Sequence, residues 1–257
     1  YRAVSSPIQR PCIHHEILRT YRPIIRQPRQ TRRVAAQHQC TREYQMISAQ
    51  EALDRLQEGN RRFVAAGAGG GLTDGARRNQ LVNGQQPFAI IIGCSDSRVP
   101  AEIVFDQGLG DLFVIRVAGN IVAPSQVGSV EFAAEQFGTR LVVVLGHTQC
   151  GAVTATLNEI DRPADAQSPN LRSIVNRIRP AIEPVINTNP RLTGDQLLHE
   201  AVRANVRYTA EQLKHGSAII EQLIERDNLL IVGAEYSLET GVVDFFHDVP
   251  KIDQTLR

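Results

Sequence analysis

Leu141-Val142-Val143-Val144-Leu145-Gly146-His147-Thr148-Gln149-Cys150-Gly151 is an apolar run that stops at a glycine and then presents an imidazole and a thiol three residues apart. An unbroken run of β-branched residues and leucine suits a strand buried on both faces, as in a parallel sheet. A second stretch repeats the plan: Ile90-Ile91-Ile92-Gly93 leads into Cys94-Ser95-Asp96-Ser97-Arg98. The two stretches read as strand ends that would converge if the strands were neighbours.

Working outward, Phe88–Cys94, Asp111–Ala118, Leu141–Gly146 and Leu229–Ala234 read as four strands, and Gly241-Val242-Val243-Asp244-Phe245-Phe246 as an edge strand. Helical spacing occupies the intervals, over Ser125–Phe137, Ala152–Ile160, Leu171–Ile186, Asp195–Lys214 and Ser217–Arg226, with Pro180 and Pro184 expected to disturb the end of the third. Ser48-Ala49-Gln50-Glu51 reads as a capping box opening an earlier helix that Gly67 would end. Gly67 to Gly75 has no strand before it and no GKS or GKT after it, so it reads as a connector, not a phosphate loop. The alternation gives an α/β fold: an open, mostly parallel sheet of about four parallel strands plus an antiparallel edge strand, flanked by helices. In such sheets ligands bind beyond the carboxyl ends of strands where the winding reverses.

The chain has 257 residues, which favours one domain and an extension. Residues 1–46 hold nine arginines against two acids, a charge of +7, whereas the remaining 19 basic and 25 acidic residues give −6. Residues 1–46 therefore read as a basic N-terminal arm, for targeting, partner binding or wrapping of a neighbouring subunit, and residues 47–257 as the folded domain that carries the two strand ends. Cys12, His14, His15, His38 and Cys40 in the arm are metal-competent types in a spacing that fits no zinc motif. No apolar run approaches the roughly 18 residues a membrane span needs, and no long apolar segment of secretory type follows the basic start. Four cysteines are too few and scattered for a disulfide framework, so a reducing, cytoplasmic setting is the default, with an organelle or microcompartment as the alternative if the arm directs it.

Two thiolates and one imidazole, from Cys94, His147 and Cys150, suit zinc, with a fourth position open to water or Asp96. An isolated H-x-x-C is more often an inert core pair; its pairing with Cys-x-Asp-x-Arg at a second strand end favours a metal site. His199 and His215 on helices and His247 near a strand end read as surface residues, with proton relay as the other role.

Cys94-Ser95-Asp96-Ser97-Arg98 followed by His147-x-x-Cys150-Gly151 resembles the signature of the β-class carbonic anhydrases. The resemblance continues through Arg116-Val117-Ala118-Gly119-Asn120 and Ser129-Val130-Glu131-Phe132 and covers roughly residues 48–246. It implies one zinc ion per subunit on Cys94, His147 and Cys150, and a catalytic dyad of Asp96 and Arg98. The implied reaction is reversible hydration of carbon dioxide to bicarbonate and a proton, by attack of zinc-bound hydroxide that the dyad orients. Asp96 serves as fourth ligand in the closed state of some members. It further implies a substrate pocket of Gln85, Phe113, Ala118, Phe132 and Gly151, completed by a second subunit in a homodimer or higher homo-oligomer. Because two thiolates neutralise Zn²⁺, bound water should be less acidified than at a three-histidine site, which raises the importance of the dyad. No tryptophan is present, which points away from the bicarbonate-regulated members and towards the open type. No nucleic-acid partner is expected. The competing readings are hydrolysis of a carbon dioxide analogue such as carbon disulfide or carbonyl sulfide, and a non-catalytic zinc or redox-sensing module. Retention of both Asp96 and Arg98 disfavours the second.

Overall fold

The computed structural model describes residues 47–66, 75–160 and 168–250, so the arm with its cysteines and histidines, and most of the glycine-rich connector, lie outside the described residues. Five strands form one sheet in the order β2-β1-β3-β4-β5, where β1 is Ala89–Gly93, β2 Leu112–Arg116, β3 Leu141–His147, β4 Leu230–Tyr236 and β5 Val243–His247. The first three pairings are parallel and β4–β5 is antiparallel, as the alternation of apolar runs and helical stretches implies. The chain leaves β1 for β2 and returns on the other side of β1 as β3, so the winding reverses between β1 and β3. Gly93 pairs with Leu145, which brings the two polar strand ends side by side at that switch point.

Residues 89 to 93 and 141 to 147 are buried throughout, which is why their sequence runs are continuous instead of alternating. On one face Ile91, Val143 and Val232 pack against Leu53 and Leu56 of α1 (Ala49–Ala66). The other face sets Ile90, Ile92, Val142 and Val144 against α4 (Pro124–Gln136), α7 (Gly194–His215) and α8 (Ala218–Asp227). A third cluster joins Cys94 and Cys150 to Ile178, Ile182 and Val202, so the metal-competent end of the sheet is walled by α6 (Pro169–Thr188) and α7. Short helices α2 (Gly75–Gln80) and α3 (Ala101–Val104), a 3₁₀ turn at Ala118–Asn120 and α5 (Gly151–Glu159) complete the described elements. Among the described residues no helix is long and apolar enough to cross a membrane.

The capping box forms reciprocally: the Glu51 N–H donates to Ser48 Oγ at 3.2 Å and Glu51 Oε2 accepts from the Ser48 N–H at 2.8 Å. Two expectations change. Pro180 and Pro184 sit inside α6 without ending it: both lie on its exposed side, where water can serve the carbonyls they leave unpaired, while Val175, Ile178, Ala181 and Ile182 hold the opposite face in the core. Strand β4 runs two residues past Ala234, because Glu235 and Tyr236 pair in register with Gly146 and His147.

Candidate metal centre

Cys94 follows β1 directly, His147 is the last residue of β3, and Cys150 is the N-cap of α5. Gln149 takes a positive φ of 56°, a left-handed step that turns the chain so that Cys150 comes back beneath His147. One donor atom from each of Cys94, His147 and Cys150 lies within 4.8 Å of the others, and all three residues are buried. Gly146 lets α7 come close; a Cβ there would stand 2.5 Å from Val206 Cγ2.

The imidazole is oriented from behind. His147 Nδ1 lies 2.9 Å from the Thr148 carbonyl, which calls for a proton on Nδ1 and leaves the bare Nε2 facing the sulfurs. That Nε2 is buried with no hydrogen-bond partner in the protein. Thr148 is fixed in turn, its N–H donating to the Tyr236 carbonyl and its Oγ1 accepting from the Leu238 N–H, both at 3.0 Å. The Gly119 N–H donates to Cys94 Sγ at 3.3 Å. The hydrogen bond from Cys150 pulls the Cys94 thiol down to about 4, and the same contact together with burial pushes the Cys150 thiol up, so the two sulfurs compete for one proton. Burial works against charge on His147, yet the neighbouring Cys94 sulfur and the Thr148 carbonyl raise its proton affinity overall. A buried sulfur pair of this kind beside an unpartnered ring nitrogen fits a borderline-soft divalent cation with nitrogen and sulfur ligands.

Asp96 lies at the rim. Arg98 grips it bidentately, Nε to Oδ1 at 2.9 Å and Nη2 to Oδ2 at 2.7 Å, and the Arg98 backbone N–H adds a third bond to Oδ1 at 3.0 Å. That grip holds the Asp96 carboxyl well below the usual carboxylate range. Asp96 Oδ2 stands 3.9 Å from His147 Nε2, so the carboxylate borders the donor cluster while engaged by arginine. Arg116, given no role by the sequence, clamps the loop: Nε donates to the Cys94 carbonyl at 3.0 Å and Nη2 to the Asp96 carbonyl at 2.6 Å.

The five pocket residues are not gathered equally. Ala118 opens the 3₁₀ turn whose next residue touches Cys94, and Gly151 starts α5 beside Cys150. Phe113 and Phe132 pair with ring centroids 6.2 Å apart and share a cluster with Phe137 against the α4 face; Phe132 is 52% exposed. Gln85 is exposed and lines a separate cavity with Arg78, Leu81 and Leu109. A second group of metal-competent residues, Glu211, His247 and Asp248, already has its cation, because the Lys214 ammonium bonds both carboxylates.

A model of the carbonic anhydrase family matches residues 89–243. A carbonic anhydrase of Mycolicibacterium smegmatis is 40% identical over 189 residues, 74% of this chain and 89% of the relative. Among solved structures, the β-carbonic anhydrase CcaA superposes with a TM-score of 0.63 at 28% identity, covering 79% of this chain and 94% of that one. One of the tetrameric β-carbonic anhydrases of Sordaria macrospora superposes with a TM-score of 0.59 at 22% identity, over 66% and 85% of the two chains, a likeness of fold.

Proposed function

This chain belongs to the β-class carbonic anhydrases, enzymes of carbon dioxide hydration, and on that premise we propose that Cys94, His147 and Cys150 hold one zinc ion while Asp96 and Arg98 govern the attacking water. The observation that carries the proposal is the bidentate Arg98 grip on Asp96 beside a buried Cys-His-Cys set whose Nε2 has no partner. Bound there, zinc would supply Lewis acidity that makes water a stronger acid and a better nucleophile than it is in bulk. The protein supplies the rest. An ionised Asp96 can only accept, so it accepts a hydrogen bond from the attacking water and turns that oxygen's lone pair towards the carbon of carbon dioxide. Arg98 keeps Asp96 in that place and ionised, so the resting arrangement proposed is the open one, with the carboxylate on arginine and off the metal. Arg116 and the Gly119 N–H hold the Cys94 loop at a fixed distance from the His147 turn.

The proposal extends to a homodimer or larger homo-oligomer in which Gln85, exposed in its own subunit, and the half-exposed Phe132 help complete the pocket. The tetrameric relatives of like fold support that reading. A reducing setting belongs to it as well, since joining the free thiols of Cys94 and Cys150 in a disulfide would remove two donors. Assignment of residues 1–46 as a separable arm and 47–257 as the catalytic unit is tested by deleting the arm and measuring activity, subunit mass and localisation.

The deciding experiment is D96N. The variant should keep its zinc while the hydration rate, read by stopped flow, falls on the order of a hundredfold or more. Equal activity in D96N, or a zinc-loaded, folded wild type at the uncatalysed rate at both pH 7 and pH 9, would sink the proposal.

A further inference from the structure

Each turnover of carbon dioxide hydration releases one proton, and Arg98 and Asp96 are both poor carriers for it. A guanidinium does not give up its proton in proteins, and both oxygens of Asp96 are already engaged by that guanidinium. A cavity of about 540 Å³ opens beside Arg98, lined by Arg98 and Gln149 on the metal-centre side and by Asp195, His199, Leu238 and Glu239 on the far side. At about 30 Å³ per water it has room for a connected chain of waters. Among the side-chain types along it, only imidazole both takes and gives a proton near neutral pH.

His199 is placed by more than its own helix. It is half-exposed on α7, and its Nδ1 lies 3.5 Å from Oε1 of Glu235 on β4. Glu235 is only 5% exposed, and its Oε1 is buried with no hydrogen-bond partner, so the imidazole is the polar group this oxygen meets. The other oxygen, Oε2, accepts from Arg203 Nη1 at 3.2 Å, and that same nitrogen donates to Asp244 on β5 at 2.8 Å. Two carboxylates therefore share one guanidinium, an excess of one negative charge that a protonated imidazole would cancel. Burial pushes the Glu235 carboxyl up, opposed by His199 and Arg203. The remaining charged groups around His199 are Asp195 on its own helix, Glu239 beyond β4 and Arg98 across the cavity.

We propose that His199, held by the buried Glu235, relays the reaction's proton between the Arg98 end of this cavity and bulk solvent. With Nδ1–H turned to Glu235, the bare Nε2 is the acceptor. The proton passes along cavity water to Nε2, making an imidazolium that Glu235 stabilises, and leaves to a buffer base in bulk, which regenerates the neutral ring. Glu235 acts through His199 and is a positioning residue. The relay rests on the hydration activity, and its test separates the two.

The test compares zinc-loaded wild type, H199A and E235Q by stopped-flow hydration in dilute buffer, with kcat and kcat/KM read separately. Because proton release follows attack on carbon dioxide, H199A should lower kcat on the order of ten- to a hundredfold, with kcat/KM within about twofold of wild type, and added imidazole should restore kcat saturably. Long-range ¹H–¹⁵N NMR gives a readout independent of turnover: the neutral His199 ring should carry its proton on Nδ1 in the wild type and on a mixture of the two nitrogens in E235Q. Wild-type kcat in H199A, a parallel fall of kcat and kcat/KM, or absence of imidazole rescue overturns the relay. An unchanged tautomer in E235Q overturns the positioning role of Glu235. A wild type that does not hydrate carbon dioxide overturns the activity and the relay together, and is told apart from failure of the relay alone, where wild type and H199A hydrate with equal kcat.

Discussion

Replacing Gly119 by alanine should damage the fold and the metal centre together. Gly119 has φ of 75°, where an L-residue costs about 1–2 kcal/mol. A Cβ would stand 2.7 Å from Ile178 Cδ1 and 3.0 Å from Ala152 Cβ; the isoleucine tip can rotate away, but the alanine methyl moves only with α5, and overpacking of this kind costs about 1–3 kcal/mol. Any shift of the turn lengthens the 3.3 Å bond from the Gly119 N–H to Cys94 Sγ, about 1.5–3 kcal/mol for a charged acceptor. It also strains the 2.8 Å bond from Asn205 Nδ2 to the Gly119 carbonyl. Since relief of the clash and retention of the bond oppose each other, the net loss expected is about 3–6 kcal/mol, or roughly 10–20 °C in Tm for a chain of this size. Urea denaturation measures the loss, and competition with a chromogenic chelator measures zinc affinity, which should weaken by about tenfold or more, the equivalent of 1.4 kcal/mol or more. A G119A protein within about 1 kcal/mol of wild type, at equal m-value and equal zinc affinity, refutes the reasoning.

Asn60, buried at 5% exposure, donates to the carbonyls of Val104 (3.1 Å) and Gly241 (2.9 Å) and accepts from the Val243 N–H (2.9 Å), so N60A strands three backbone groups and should cost about 3–4 kcal/mol in urea denaturation; a loss under about 1 kcal/mol would contradict it. At the junction of α7 and β5, hydrogen bonds from Lys214 lower the Glu211 and Asp248 carboxyls, while on Lys214 itself the opposing effect of burial is outweighed by those same bonds. Depressed carboxylates stabilise above their unfolded values and lose that contribution as pH falls through the folded ones, so the stability gap between wild type and K214M should hold from about pH 5 to 9 and shrink below about pH 4; a gap unchanged down to pH 3 would refute this. Removing the metal with a chelator should lower Tm, and zinc at about a hundredfold over its Kd should restore about 2.7 kcal/mol where magnesium at equal concentration restores none; equal rescue by both would reject a sulfur-rich site.

What could be read in the sequence and what could not divide along a physical line. Ile90–Ile92 and Leu141–Leu145 announce themselves because strands buried on both faces need apolar side chains at every position, and the donors stand out because they begin where those runs stop. Cys94, His147 and Cys150 are thus legible as metal-competent types from local order, whereas a dyad role for Asp96 and Arg98 is implied only by the family resemblance. Glu235 broke the apolar pattern of the fourth strand and hid its last two residues; its burial is tolerated because Arg203, distant in sequence, supplies the opposing charge. The prolines of α6 look like helix breakers for a related reason, since whether a helix survives them depends on which side faces water. Arg116 and Gly119 work through backbone atoms across the sheet end, a contact that no residue pattern advertises. His199 reads as surface with relay as its other role because half of it is surface; only the fold puts a buried carboxylate behind it and a cavity reaching Arg98 in front. Ligands chosen for their own chemistry leave a mark on the sequence at their own positions, whereas groups that act by restraining or neutralising another residue are defined by that partner. The relay proposed for His199 and Glu235 is defined by such a pair, so no local pattern marks it.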